Sequence, residues 1–427
     1  MMILPTLLAA AVALMNPTPS VVRVAPRPDG GHQLIVNGEP LFVRGVGGGQ
    51  SRTAELAALG GNSIRTWGPS QGALEAAAAH GMWVMMGLPL RKARDGFYED
   101  PERVARQLER ARDIVRAHRD HPSMLLWGIG NETELGTRET ERRITLWKAL
   151  NDVARMVHEE DPNHPTGLVI AGINRERAEE IRAHCPDIDI LCVNAYGNVS
   201  GVTRVLNEMR WDIPFLLTEY GPTGHWQVEK TPWGLPIEET STAKADVYRR
   251  AHETVINTHP NSLGGHAFLW GHKQEKTHTW YGILLPGNDE LLGAAEALSF
   301  AWTGAWPEDR WPRIEAPPVA TREDGTATTA PNTFTAGERI RLTVNATDPE
   351  GDALEVTWDL RPDASNNPAT GGAFEPPTEP IAGAIVEANG MEALVRLPAE
   401  AGPYRVFVYA RDGKGRAATA NLPLLAE

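Results

Sequence analysis

The strongest constraint in this chain is a repeated alternation. Apolar runs of strand length recur eight times, at residues 41–46, 62–67, 82–88, 124–132, 167–171, 188–196, 215–220 and 266–271. Strands that are apolar along nearly their whole length are buried on both faces, as in a parallel sheet covered by helices. The segments between them read as helices. Asp100-Pro101-Glu102 supplies an N-cap, a first-turn proline and a first-turn acid. Behind it, Val104, Leu108, Ala111 and Val115 form one apolar stripe. Residues 138–160 and 241–258 repeat the pattern and stop at Pro162 and Pro260. Eight strand–helix units over about 280 residues match an α/β fold of the (β/α)8 TIM barrel type in number and size. An open doubly wound sheet is the rival, with fewer strands and a phosphate loop after the first. Gly47-Gly48-Gly49 is followed by Gln50-Ser51 and lacks the Gly-Lys-Ser/Thr of such a loop, so it reads as a turn at the barrel mouth.

Beyond Trp311-Pro312 the texture changes. Residues 313–338 are rich in Pro, Thr, Ala and Gly and read as a linker. Residues 339–427 then show period-two alternation, as in Ile340, Leu342, Val344 and in Tyr404, Val406, Val408. That pattern predicts a small all-β sandwich. It resembles the Ig-like, PKD- or cadherin-like modules appended to secreted bacterial hydrolases. As a separate unit behind a linker, it is expected to be dispensable for chemistry. Its turn Asp348-Pro349-Glu350-Gly351-Asp352, with Asp412, carries oxygens of the kind calcium takes, although acidic turn residues in water satisfy the same pattern.

Residues 1–20 begin with the uncharged apolar run 1–13 and continue into a polar, Pro-rich stretch, which reads as a secretory leader, with a disordered N-terminus or a short membrane anchor as the alternative. Residues 21–312 then carry the barrel. No later run reaches the ~18 apolar residues of a spanning helix. A net charge of −14 argues against nucleic acid or an anionic membrane as the main partner. It argues more weakly against an anionic substrate, since a local basic pocket can override a global average. Cys185 and Cys192 lie roughly 20 Å apart if the chain between them is extended, too far for a disulfide. His266, His272 and His278 are spaced by six, without an acid or cysteine to complete a metal set. No metal and no cofactor is implied, and oligomeric state is left open.

In a (β/α)8 barrel the reacting groups sit at the C-terminal strand ends. The fourth strand ends Trp127-Gly128-Ile129-Gly130-Asn131-Glu132 and the seventh ends Thr218-Glu219-Tyr220-Gly221. A lone strand-end glutamate is usually a cap or ion-pair residue. Two that enter one barrel mouth form the carboxyl pair that glycoside hydrolysis needs. The strings WGIGNE and LTEYG resemble those of the clan A retaining glycoside hydrolases. The stretches LIVNGEPLFVRG and GGNSIRTW resemble the family 2-like barrels, across about residues 30–305. The resemblance implies Glu132 as acid/base and Glu219 as nucleophile, with carboxyls roughly 5 Å apart. It implies Asn131 at the sugar 2-hydroxyl, Arg65 beneath Glu219, Tyr196 donating to Glu219, Trp67 in the substrate site and Trp270 as the stacking platform. Trp226, Trp233 and Trp280, in long loops after strands seven and eight, suit stacking on sugar faces or pinning of their own loops. The N-terminal domains of the full-length family 2 enzymes have no counterpart between the leader and the barrel. Galactosidase or glucuronidase specificity is therefore not carried over. The expected partner is an oligo- or polysaccharide, a neutral β-linked glycan with β-glucan favoured. The expected chemistry is retaining hydrolysis. The alternatives are transglycosylation by the same two glutamates and a non-catalytic glycan-binding barrel.

Overall fold

The computed structural model describes residues 18–197, 199–287, 289–368 and 373–427. The leader reading falls on residues 1–20, of which 1–17 lie outside the described residues. The chain first forms a three-stranded antiparallel sheet of β1 (Val22–Pro26), β2 (His32–Val36) and β3 (Glu39–Leu41). Eight parallel strands then close on themselves: β4 (Val43–Gly48), β5 (Ser63–Thr66), β6 (Trp83–Leu88), β7 (Met124–Ile129), β8 (Thr166–Ala171), β9 (Ile190–Asn194), β10 (Phe215–Tyr220) and β11 (Ser262–Trp270). Each of the eight apolar runs becomes one barrel strand. The last starts four residues before its run, because Gly264-Gly265 interrupts the apolar signal. Gly264 has φ +110°, and a Cβ there would come within 2.0 Å of the Val43 carbonyl oxygen, so only glycine lets β11 lie this close to β4.

Helices cover the outside of the barrel as the stripes predict. Helix α1 (Pro101–His118) starts at Asp100, whose side chain accepts from the Glu102 and Arg103 backbone N–H groups, and it buries Ala111 and Val115. The long α2 (Thr140–Glu160) buries Leu146, Trp147, Leu150 and Val157. The predicted 241–258 helix is α3 (Ser241–Ala251), continued by one π-helical turn (His252–Ile256). Inside the barrel floor, Val22, Leu34 and Val36 of the first sheet pack with Val43, Met85 and Leu126. Burying each such side chain contributes about 1.5–3 kcal/mol. The first sheet is thus a plug under the barrel, where sequence reading saw barrel alone from residue 21.

The C-terminal part is two sheets with a shared core. One contains β12 (Leu291–Leu292), β14 (Thr333–Phe334), β16 (Glu355–Pro362), β19 (Gly402–Arg411) and β20 (Arg416–Ala426). The other contains β13 (Val319–Arg322), β15 (Arg339–Thr343), β17 (Ile385–Asn389) and β18 (Glu392–Arg396). Ile340, Leu342 and Val395 of one sheet meet Leu360, Val406 and Val408 of the other. Two expectations are corrected here. Residues 313–338 are not a linker, since they supply β13 and β14. Nor is the module loosely tethered. β12 lies in the barrel's connection from β11 to the helix α4 (Gly293–Thr303), yet it pairs with β20. Leu285 and Leu292 are buried against Phe407, Tyr409 and Ala417. The Pro- and Thr-rich composition reflects edge strands and turns, which composition cannot tell from a linker.

Part of the acidic turn is taken up by contacts within the chain. One Asp348 oxygen accepts from the Glu350 and Asp352 N–H groups, and one Asp412 oxygen accepts from Lys414 and Arg416. The Lys414 ammonium pairs with Asp352 and Asp309. The other oxygens of the turn, Asp348 Oδ2 and Asp412 Oδ2, are buried and accept no hydrogen bond among the described residues. Among the described residues no group of three or more His, Cys, Asp or Glu could hold a metal ion.

A chain stopped at Arg313 would expose Leu285 and Leu292. It should melt at least about 5 °C below the full chain in calorimetry. An unchanged melting temperature of the barrel would contradict an integral module.

Candidate active site

The mouth of the barrel opens into a cleft of about 1200 Å³. Glu219 leaves the end of β10 and lies on its wall. Its Oε1 accepts from Arg65 Nη1 at 2.9 Å and from Trp67 Nε1 at 2.8 Å. Its Oε2 accepts from the Tyr196 hydroxyl at 2.8 Å. Three donors from the ends of two strands, Arg65 and Trp67 from β5 and Tyr196 from β9, therefore fix one carboxylate. Burial and the neighbouring Glu219 push the Tyr196 phenol well above its usual range, so it stays a donor. Arg65 is almost completely buried inside the barrel, and it also donates to the Thr218 carbonyl and to Asn131 Oδ1, both at 2.6 Å.

Glu132 reaches the same cleft by a different route. Strand β7 ends at Ile129, and Gly130 turns the chain with φ +66°. A Cβ at Gly130 would meet the Thr133 methyl at 2.7 Å. Glu132 itself has φ +52°, a conformation that costs a non-glycine residue roughly 1–2 kcal/mol and that the Glu132 N–H to Val169 carbonyl bond helps to hold. The Glu132 carboxyl is raised from its ordinary range to about 7, first by burial and then by the charge of Glu219, with the Asn194 hydrogen bond opposing. Two carboxyls in one mouth thus have different surroundings, one held by three donors and the other desolvated.

Asn194 connects them and was missed by the sequence reading. Its amide donates to Glu132 Oε1 at 3.0 Å and to Asn131 Oδ1 at 3.1 Å, while its oxygen accepts from Thr218 at 2.8 Å. The available signal was a single polar residue near the end of the apolar run Ile190-Leu191-Cys192-Val193-Asn194. Asn131 uses its oxygen for both Arg65 and Asn194. The structure therefore brings Arg65, Trp67, Asn131, Glu132, Tyr196 and Glu219 together.

The tryptophans divide. Trp226 lines the cleft and is 59% exposed, edge-on to Tyr196. Trp280 is buried and donates to the Thr223 carbonyl, so it pins the loop after β10. Trp233 is half-buried and does not line the cleft. Trp270 corrects an expectation. It is buried in the core with its indole N–H on the Ser51 carbonyl, and the cleft is lined at this strand end by Phe268 and Leu269. The physical reason is a register shift between β11 and β4 from Ala267 to Trp270, which turns the indole away from the mouth. Cys185 and Cys192 are both buried free thiols. His266 contacts Ser63 inside the barrel, and His278 contacts the Tyr409 hydroxyl of the module.

Three comparisons bear on this site. The family model described as glycosyl hydrolases family 2, TIM barrel domain, matches residues 74–226, a span that holds both glutamates. The beta-glucuronidase of Streptococcus agalactiae serotype V is 23% identical over 280 residues, covering 54% of this chain and 44% of that protein. Among solved structures, Bifidobacterium dentium beta-glucuronidase complexed with coumarin-3-O-glucuronide matches with TM-score 0.51 at 19% identity, covering 67% of this chain and 49% of that one. The beta-galacturonidase from Eisenbergiella tayi bound to galacturonate matches with TM-score 0.52 at 16% identity, covering 67% of this chain and 55% of that one. The structural likenesses speak to the fold. This chain spans less than half the length of the curated relative.

The site has a pH signature. Glu132 should be protonated below about pH 7 and ionised above it. Replacing Glu219 by Gln removes the neighbouring charge that raises Glu132, so its titration should move to lower pH in carbon-13 NMR of labelled carboxyls. A wild-type Glu132 that titrates at about 4.3, the ordinary value, would contradict the burial argument. In fold and in the span of its family match, the barrel is thus similar to the TIM barrel domain of family 2 glycosyl hydrolases.

Proposed function

We propose that this chain hydrolyses a β-linked glycoside with retention of anomeric configuration. The observation that carries the reading is the pair of carboxyls in unlike environments, Glu219 under three donors and Glu132 raised to about 7. Glu219 attacks the anomeric carbon and its Oε–C1 bond forms as the bond to the leaving oxygen breaks. Glu132 gives its proton to that oxygen. A water then donates its proton to ionised Glu132 and attacks C1, releasing the sugar and restoring Glu219. Asn131, its oxygen engaged by Arg65 and Asn194, has an amide nitrogen to offer the 2-hydroxyl. Trp226 and Phe268 offer faces and edges for the sugar rings.

The substrate reading moves from a neutral β-glucan to an acidic sugar. The relatives named above act on glucuronides and galacturonides by their names. Lys92, Arg175 and Arg204 line the cleft from the loops and helices after β6, β8 and β9, which supports an anionic glycan despite a net charge of −14. Export is proposed from the apolar run at 1–13 alone, and an Ig-like identity of the module from its period-two strands.

The test is a set of 4-nitrophenyl β-glycosides (glucuronide, galacturonide, glucoside, galactoside, mannoside) with both glutamate variants. Uronides should lead, and Glu219→Ala and Glu132→Ala should each lose about 10²–10⁴-fold in turnover. Azide should rescue Glu132→Ala with retained configuration and Glu219→Ala, if it does so, with inverted configuration. Swapped outcomes would reverse the roles, and wild-type turnover in both variants would remove the site. Product sizes from an oligosaccharide separate hydrolysis from glycosyl transfer, and a wild type inactive on every glycoside would leave a binding barrel.

A further inference from the structure

One wall of the cleft is made by two loops that do not stand alone. After β10 come His225, Trp226 and Gln227, and after β11 come Lys273, Glu275 and Tyr281, all on the cleft surface. Both loops are fastened to the C-terminal module through buried polar contacts. Glu375 of the module, 3% exposed, accepts from the Lys276 backbone N–H at 2.9 Å, and the Lys276 ammonium pairs with Glu375 and with the Asn367 carbonyl. Glu238 is buried between Lys244 and Thr279 on one oxygen, at 2.5 and 2.8 Å, and Thr277 and module residue Asn421 on the other, at 2.6 and 2.7 Å. Arg405 of the module, itself held by Asp363 and by Asn421 Oδ1, donates to the Pro236 carbonyl at 2.9 Å.

These contacts continue to the reacting carboxylate. Thr279 precedes Trp280 and Tyr281. The Tyr281 hydroxyl meets His225 Nδ1 at 3.0 Å, and the Tyr281 ring packs edge-on against Tyr196 at 5.4 Å. Tyr196 donates to Glu219. A buried carboxylate such as Glu238 or Glu375 is strongly destabilised if its partners are withdrawn, so the loops and the module hold each other in one arrangement.

We propose that the module is a working part of the cleft, with Glu375 and Asn421 as positioning residues that set the shape of the 225–227 and 273–281 wall and so the affinity for the glycan. The inference rests on the glycosidase reading, and it adds that substrate binding is determined in part from outside the barrel. The structure offers no such role to the floor sheet, which packs under the barrel strands, away from the mouth.

The experiment uses the full chain. Glu375→Ala removes the acceptor of the Lys276 N–H, while Glu375→Gln keeps an acceptor oxygen. Kinetics are read on the 4-nitrophenyl β-glycoside that the wild type hydrolyses best, and amide hydrogen exchange of residues 273–281 is read without substrate. Glu375→Ala should raise KM about three- to ten-fold with kcat within about two-fold, and should speed exchange in 273–281 but not in β4–β8. Glu375→Gln should recover most of both. Unchanged KM and exchange in Glu375→Ala, or a Gln variant no better than Ala, would overturn the proposal. If Glu375→Ala does not stay folded, Lys276→Met decides, with a rise in KM of about two-fold expected and an unchanged KM overturning it. A wild type inactive on every glycoside defeats the glycosidase reading instead, and the exchange data alone then decide whether the module positions this wall.

Discussion

The site depends on one buried cation. Arg65 lies inside the barrel at 2% exposure, and taking a guanidinium out of water costs several kcal/mol unless its donors are satisfied. It is satisfied by Glu219, the Thr218 carbonyl and Asn131, which belong to the ends of β10 and β7. One side chain from β5 thereby fixes the relative positions of the two strand ends that carry the glutamates. Its removal would leave Glu219 as a buried charge with only the Trp67 indole and Tyr196 hydroxyl donors. The geometry of the mouth therefore follows from the need to keep one cation compensated, and the carboxylate is held in place as a consequence.

Against that fixed carboxylate, Glu132 becomes different by position alone. It is the same residue type in the same mouth. It arrives on a left-handed turn, is largely desolvated, and feels the charge of Glu219. Unlike surroundings for two identical groups are what separate an acid from a nucleophile. Asn194 touches both Glu132 and Asn131, so the fourth, sixth and seventh strands are tied into one hydrogen-bonded unit. The module enters the same logic from outside. It satisfies polar groups of the long loops after β10 and β11, which a barrel strand end alone could not hold.

What was legible in the sequence follows the range of the interactions. Eight buried strands leave eight apolar runs, because burial on both faces is written into every residue of the run. The two glutamates were legible because each breaks such a run at its end. Asn194 does the same, but one amide carries less chemical meaning than an acid, and its role exists only through partners 62 and 63 residues away. Trp270 was misplaced because a register shift reverses which side of a strand end faces the mouth, and such a shift leaves no trace in composition. The floor sheet was read as barrel because β1 to β3 are short and run directly into β4. The joint between module and barrel was invisible because it is built from single residues in separate segments, such as Glu238, Thr277 and Asn421.

The central claim is that Glu219 forms a covalent bond to the sugar. The most direct measurement is intact-protein and peptide mass spectrometry after incubation with a 2-deoxy-2-fluoro β-glycosyl fluoride of the sugar the enzyme prefers. The fluorine at C2 slows release of the intermediate more than its formation. The account predicts a stoichiometric mass increase of one fluoroglycosyl unit, located on the peptide that contains Glu219 and absent in Glu219→Gln. A label on Glu132, or turnover of the wild type to a product of inverted configuration with no label at all, would contradict it.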